Sequence, residues 1–271
     1  MFKSIKIFIN MKIAVVALIR GYPKNRNLYD NLIKRNNSIS ENISKQIEKR
    51  IDIILFHEGN ISISDQNYIN EKSLDCIKFI DVSIYFKNNS LKLEGENNFN
   101  LGYRYMCRFN MYHIWDHVSE YDYILRVDED IKITKFDPSV FEYMKSKNIN
   151  YMTGRFTKEI HRATNRSLPQ FLIDNTDLNV KKIYNHKFPY TNFYITNVSF
   201  WKNKDVNKIL RIIALSDEQI IYRWGDIPVH GIILNHNKEK IRLFPKLEYS
   251  HISHNFVIRN NFLRNITINS K

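Results

Sequence analysis

An α/β layered fold, with a Rossmann-like mixed and largely parallel sheet flanked by helices, is what this 271-residue sequence predicts. Two observations carry it. Short β-rich apolar runs alternate with segments of helical periodicity through the first half of the chain. One of those runs, from Tyr121 to Val127, passes directly into three consecutive acids, Asp128-Glu129-Asp130. The carboxyl end of a central strand is where sheets of this class place their ligands.

The elements follow in order. Lys12 to Ile19 reads as a first buried strand: it is too short to span a membrane and its lysine interrupts the apolar stretch, which also argues against a signal peptide. Leu28 to Ile47 has a helical pattern with one polar face. Ile51 to Phe56 is a second strand, ending at His57-Glu58. Ser64 to Leu74 is helical and Ile77 to Val82 is a third strand. From Gly102 to Val118, Tyr105, Met106, Phe109, Tyr112, Ile114 and Trp115 recur at helical spacing. The second half is less regular, with helices at Phe136 to Lys147, Leu168 to Asn175 and Asn203 to Ala214. Short strands are expected at Tyr151 to Thr153 and Ile241 to Phe244. No repeat, Gly/Ser linker or low-complexity tail interrupts the chain. One domain with two halves, about 11–135 and about 136–271, is the simplest organisation.

Composition narrows the function. A hydrophobic share of 43% supplies a full core. The formal charge of +13 suits nucleic acid, an anionic membrane or a phosphate-bearing substrate. The basic residues are spread along the chain, though, and no helix-turn-helix, zinc finger or aromatic RNA-binding motif accompanies them, so no nucleic-acid partner is expected. Two cysteines, Cys76 and Cys107, cannot build a disulfide framework or a four-ligand zinc site. No run approaches the ~18 apolar residues of a membrane span.

The acid turn is the main candidate for chemistry. Along an extended chain Asp128 and Asp130 point to one side and Glu129 to the other. Two hard oxygen donors then face the crevice, a set suited to Mn²⁺ or Mg²⁺ bridging a diphosphate. On its own the tripeptide reads as well as a solvated acidic turn; the hydrophobic strand before it favours the metal site.

Further motifs add to it. They are Gly102-Tyr103-Arg104-Tyr105-Met106-Cys107-Arg108-Phe109-Asn110, Arg126-Val127-Asp128-Glu129-Asp130, Tyr184 to Ile195, Tyr222-Arg223-Trp224-Gly225-Asp226-Ile227-Pro228-Val229-His230, and Tyr249-Ser250-His251. In this order they resemble the fungal Golgi α-1,2-mannosyltransferases, glycosyltransferase family 15, whose corresponding runs are close to YRHMCRFNSG, WRVEPD, YNxCHFWSNFEI, ERWGDAPVHS and GYRH. The resemblance runs from about Arg20 to His251. It implies a GT-A fold, a GDP-mannose donor, Mn²⁺ (or Mg²⁺) and transfer with retention to a mannose-ended glycan or glycoprotein. It also implies that Asp128, Asp130 and His251 bind the metal, Asp128 first. Arg20, Tyr103, Arg108 and Arg126 fall on the nucleotide-sugar side, and Asp226 and Asn192 position acceptor and sugar. Glu129 falls where the family has proline and is left out of the metal set.

Other readings of the same residues stand beside these. A lone histidine pair such as His251 and His254 is more often surface or core than ligand. Tyr103 suits core packing, and Arg108 an internal ion pair.

Two departures from the family matter. Tyr194 stands where the family has its candidate nucleophile, a glutamate. Tyrosine, with an ordinary pKa near ~10, makes a demanding nucleophile. Same-face attack, with the leaving diphosphate helping to deprotonate the acceptor, needs no protein nucleophile. Lys187 stands where the family has cysteine, and the membrane anchor and stem are not evident, which suggests a soluble enzyme outside the Golgi lumen. A transferase using another nucleotide sugar and a non-catalytic glycan-binding relative are the alternatives.

Overall fold

Strand β1 (Ile13–Ile19) is apolar throughout because both faces of the sheet around it are covered. Ile13, Val15, Ala17 and Ile19 pack into one core with Leu32, Ile33 and Ile39 of helix α1 (Asp30–Ile39). Ala14 and Val16 pack into a second core, on the opposite face, with Phe109, Trp115 and Ile233. The computed structural model describes residues 11–47, 51–86, 91–94, 99–180 and 183–260.

Strand β1 pairs in parallel with β2 (Asp52–His57), and β2 with β3 (Ile77–Asp81). On its other side β1 pairs in parallel with β4 (Tyr123–Val127). The chain therefore winds one way from β1 to β3 and then returns across β1 to begin β4. That reversal is the switch point at which a doubly wound sheet opens a crevice. Beyond β4, strand β5 (Ile131–Lys135) leaves the main sheet. Strand β6 (Tyr151–Thr153) belongs to the main sheet, and β7 (Phe156–Lys158) pairs separately with β8 (Lys187–Pro189). Strand β9 (Phe193–Asn197) lies antiparallel between β4 and β6, and β10 (Ile241–Leu243) closes the edge in parallel with β6. A small antiparallel sheet joins β5, β11 (Leu247–His251) and β12 (Phe256–Asn260).

The four strands expected in the first half are thus present, within about two residues at each end. The second half contains more strand than its sequence suggests. Strand β9 is buried on both faces, so Phe193-Tyr194-Ile195 shows no alternation of polar and apolar residues to mark it. Strands β5, β11 and β12 are short pieces that gain their hydrogen bonds only from one another.

The helix expected after Gly102 also differs in detail. It begins at Leu101, where the Asn100 side chain accepts from the Tyr103 N–H at 3.0 Å. It widens into a π-turn at Phe109–His113 before finishing at Ile114–His117. The i→i+5 turn absorbs one extra residue, so Phe109 and Ile114 are both buried. The helix Asp226–His236 is buried along most of its length, with Pro228 in the first turn, where its missing N–H costs nothing. Among the described residues, no helix is long and apolar enough to cross a membrane.

Candidate active site

The carboxyl ends of β1 and β4 open onto a cleft of about 770 Å³. Arg20, Tyr103, Arg126, Asp128, Asp130, Asn192, Asp226 and His251 all line it. A second cavity of about 720 Å³ lies at the opposite end of β4, around Asp122, Asn150 and Asn197. The first sits where the topology places ligands, and it gathers nearly all the residues that the motifs singled out.

The acid turn divides its three carboxylates among three partners. Asp130 Oδ1 meets His251 Nε2 at 3.0 Å, and its Oδ2 accepts from the Ser253 N–H at 3.1 Å. Burial works against the Asp130 charge, but these bonds outweigh it and hold the carboxyl well below the usual range. His251 ends β11, beside Ile131 in the small sheet, and so the β5–β11 pairing is what brings imidazole and carboxylate together. The Asn192 amide nitrogen lies 3.3 Å from His251 Nδ1 and orients the ring.

Asp128 is turned instead toward Arg126, 3.2 Å from its Nη2. Burial raises the Asp128 pKa, with Asp130 and Asp226 adding to the effect and Arg126 and His251 opposing it. His251 thus faces Asp130, while Asp128 faces Arg126. Glu129 also lines the cleft, because the three acids form a turn and not an extended strand; it accepts from the Arg20 N–H at 2.9 Å and lies 3.1 Å from Arg20 Nε.

Arg126 is the buried cation of the site. Its other nitrogen, Nη1, donates to Asp226 Oδ2. Burial works against its charge, and Asp128 and Asp226 outweigh it. Asp226 opens the helix Asp226–His236, where the N-terminal dipole also favours an anion. Its carboxyl is held below the ordinary range: burial opposes this, and Arg126, followed by His230 and Thr191, prevails.

Two sequence expectations change. Arg108 does not reach the cleft. It follows Tyr103 by five positions, a rotation of about 140° around the helix, whereas Tyr103, Met106 and Asn110 share the cleft-facing side. Its guanidinium is held by Gln219 Oε1 and the Ser216 carbonyl, both at 2.8 Å. Tyr194 does not reach it either. It lies opposite Arg126 in the β4–β9 pairing, has no exposed surface and stacks on Tyr151 with ring centres 4.9 Å apart. Burial pushes its phenol further up, away from a usable nucleophile.

Tyr103 does line the cleft, with its hydroxyl accepting from Arg223 Nη2 at 3.1 Å. Three residues escaped the sequence reading. Thr191 bonds to Asp226 and Tyr190 lines the cleft beside it. Arg35 is buried beneath the acid turn, where its Nη2 donates to the Val127 carbonyl at 2.8 Å. Burial lowers its pKa to about 9, against the pull of Asp128 and Glu129. Nothing in the pattern of its helix marks Arg35 as buried. Thr191 and Tyr190 could have been found from their position just before a strand that enters the site.

The donors decide whether a divalent cation fits. Asp130 and His251 offer a carboxylate oxygen and an imidazole nitrogen on the cleft, and Asp128 adds a second carboxylate nearby. Among the described residues, no three His, Cys, Asp or Glu side chains gather closely enough to enclose an ion. The donor types fit a cation that completes its shell with diphosphate oxygens and water.

The switch-point cleft, the acid turn beyond β4 and the antiparallel β9 together define the GT-A class of glycosyltransferase fold. The chain superposes on the mannosyltransferase Ktr4p of Saccharomyces cerevisiae with a TM-score of 0.71 at 16% identity, covering 89% of this chain and 70% of that one. On core-mannan synthase A of Aspergillus fumigatus, solved in a Mn/GDP form, the TM-score is 0.69 at 16% identity, covering 90% and 75%. Residues 19–266 match the family described as Glycolipid 2-alpha-mannosyltransferase, and the chain belongs to that family. Among its relatives, Glycolipid 2-alpha-mannosyltransferase 2 of Candida albicans is 31% identical over 172 residues, which cover 55% of this chain and 37% of that protein. The O-glycoside alpha-1,2-mannosyltransferase homolog 2 of Schizosaccharomyces pombe is 27% identical over 206 residues, covering 68% and 55%. The chain thus spans well under two thirds of the length of the curated relatives it matches.

Proposed function

We propose that this chain is a retaining, metal-dependent glycosyltransferase that moves mannose from GDP-mannose to the 2-hydroxyl of a mannose-ended glycan. The observation that carries this reading is the meeting of Asp130 and His251 at 3.0 Å in the same cleft as the buried Arg126–Asp226 pair. The names of the relatives supply the sugar and the linkage.

Asp130 and His251, with Asp128 beside them, would hold Mn²⁺, with Mg²⁺ as the alternative. An ion held there would supply positive charge to offset that developing on the leaving diphosphate. Arg20 and Tyr103 line the donor side. Arg126 fixes Asp128 and Asp226 relative to each other, so neither carboxylate has to reorganise during the reaction. Asp226 stays ionised and can accept hydrogen bonds from sugar hydroxyls, and Asn192 lines the same cleft.

The buried Tyr194 favours same-face attack. The bond from the acceptor oxygen to the anomeric carbon forms as the bond to the diphosphate oxygen breaks on that face. The acceptor proton passes to the departing phosphate oxygen. The protein then supplies position and electrostatics and no covalent partner.

The test is a donor panel. Purified protein with Mn²⁺ and a methyl α-mannoside acceptor is incubated with GDP-mannose, UDP-glucose, UDP-galactose and UDP-N-acetylglucosamine. Nucleotide release is followed and the product linkage read by NMR. An α-1,2-linked disaccharide from GDP-mannose is expected. Turnover of a UDP-sugar in its place would overturn the donor assignment, and no turnover of any donor would overturn the enzymatic reading.

A further inference from the structure

The acid turn forms one part of the cleft, and another part has different chemistry. Its walls are the segments that follow β1 and β2. Gly21 packs so closely on Asn60 that a Cβ there would run into the Asn60 carbonyl. Arg26 pairs with Asp65 at 2.6 Å and bonds to Ser64. These contacts lock the two segments together. Leu18, Tyr22, Leu28, Leu32 and Glu58 line the cleft there, and Leu28 leaves 51% of its surface exposed.

Glu58 is the unexplained group. Ile19 pairs with His57 in register, so Arg20 and Glu58 leave the sheet side by side. Arg20 is already engaged by Glu129. Glu58 is half-buried and, among the described residues, has no hydrogen-bond or ion-pair partner. Burial pushes its carboxyl up. A carboxylate that loses water without gaining a partner is held at a cost, and here it stands beside exposed leucine in a ligand cleft.

We propose that Glu58 reads the nucleotide base, with its two oxygens accepting the N1–H and 2-amino hydrogens of guanine while the ring lies against the leucine side chains. This rests on the donor reading above and names the residue that sets its base specificity. Guanine presents two adjacent donors on that edge, and a carboxylate is an acceptor at both oxygens. Adenine presents a donor next to an acceptor, and uracil a single donor between two carbonyls. Both therefore leave a carboxylate oxygen unpaired, the kind of mismatch that polar sites reject strongly.

The experiment measures binding of GDP, IDP, XDP and UDP by calorimetry with Mn²⁺, for the wild-type chain and for Glu58→Gln. IDP lacks the 2-amino group and is expected to bind the wild type about tenfold more weakly than GDP, the worth of one charge-assisted hydrogen bond. Glu58→Gln presents one acceptor and one donor, matching the N1–H and 2-carbonyl of xanthine. It should lose GDP affinity by tenfold or more and gain affinity for XDP, a reversal that mere loss of folding would not produce. Equal binding of GDP and IDP by the wild type, or an unchanged GDP preference in Glu58→Gln, would overturn the assignment while leaving the transferase reading intact. Absence of binding by every nucleoside diphosphate would overturn both.

Discussion

Asp226 keeps its charge at a position where burial alone would remove it, and Arg126 is the reason. Its folded pKa lies below the ordinary value near ~3.9. Its contribution to stability is therefore complete above that value and is lost as pH falls through the folded pKa. Asp226→Asn leaves Arg126 with only Asp128 and should cost about 3 kcal/mol at pH 7, as breaking a buried pair does. The gap to wild type should close in acid, below the folded pKa. Urea unfolding at pH 7 and along an acid series measures it, and a gap that stays constant would show that Asp226 acts by packing instead. At this scale the sequence was most informative where a residue sits at the end of a strand. Asp128 and Asp130 were legible for that reason, His251 only through its motif, and all three fall within one cleft. Arg108 and Tyr194 were legible only as motif letters. A motif fixes a residue's place in the chain but not the side of its helix, nor how deep its strand is buried.

At the scale of elements, the helix Asp226–His236 is held in place by a glycine. A Cβ at Gly231 would overlap the Phe188 ring on β8. In an open helix, Gly→Ala would stabilise by about 1 kcal/mol. Here the collision should win: overpacking of a filled core costs about 1–3 kcal/mol. Gly231→Ala should therefore lower the urea midpoint and, by shifting the helix that carries Asp226, weaken donor binding as well. A raised midpoint would mean that Phe188 swings aside freely. The elements themselves were legible to different degrees. The parallel strands β1 and β2 were readable as continuous apolar runs, and β3 and β4 as β-rich stretches interrupted by Lys78 and Arg126. Strand β9 and the small β5–β11–β12 sheet were not, because β9 is buried on both faces and the others are short, so none leaves a clear local period.

The whole molecule assembles its site from Arg20, Glu58, Arg126, Asp130, Asn192, Asp226 and His251, drawn from nearly its full length. No short stretch holds the cleft, so binding and folding are coupled. GDP with Mn²⁺ at about a hundred times its dissociation constant should add about 2.7 kcal/mol to stability, visible as a rise of several degrees in Tm. EDTA should remove most of that rise. A rise that survives EDTA would mean that nucleotide binds without the ion and that Asp130 and His251 serve another purpose. The fold class was legible at this scale from the alternation of strands and helices. The switch point was not, because it depends on the order in which strands lie side by side.

The pairing of β4 with β9 has one more consequence. Arg126 lies opposite Tyr194 and Leu125 opposite Ile195, and the two faces of these strands serve separate cores. Inserting or deleting a single residue in either strand would turn every side chain beyond it to the wrong face. Leu125 would trade places with the guanidinium beside Asp226. Descendants of this gene can drift in composition along these strands, but any gain or loss of length has to fall in the connections outside them.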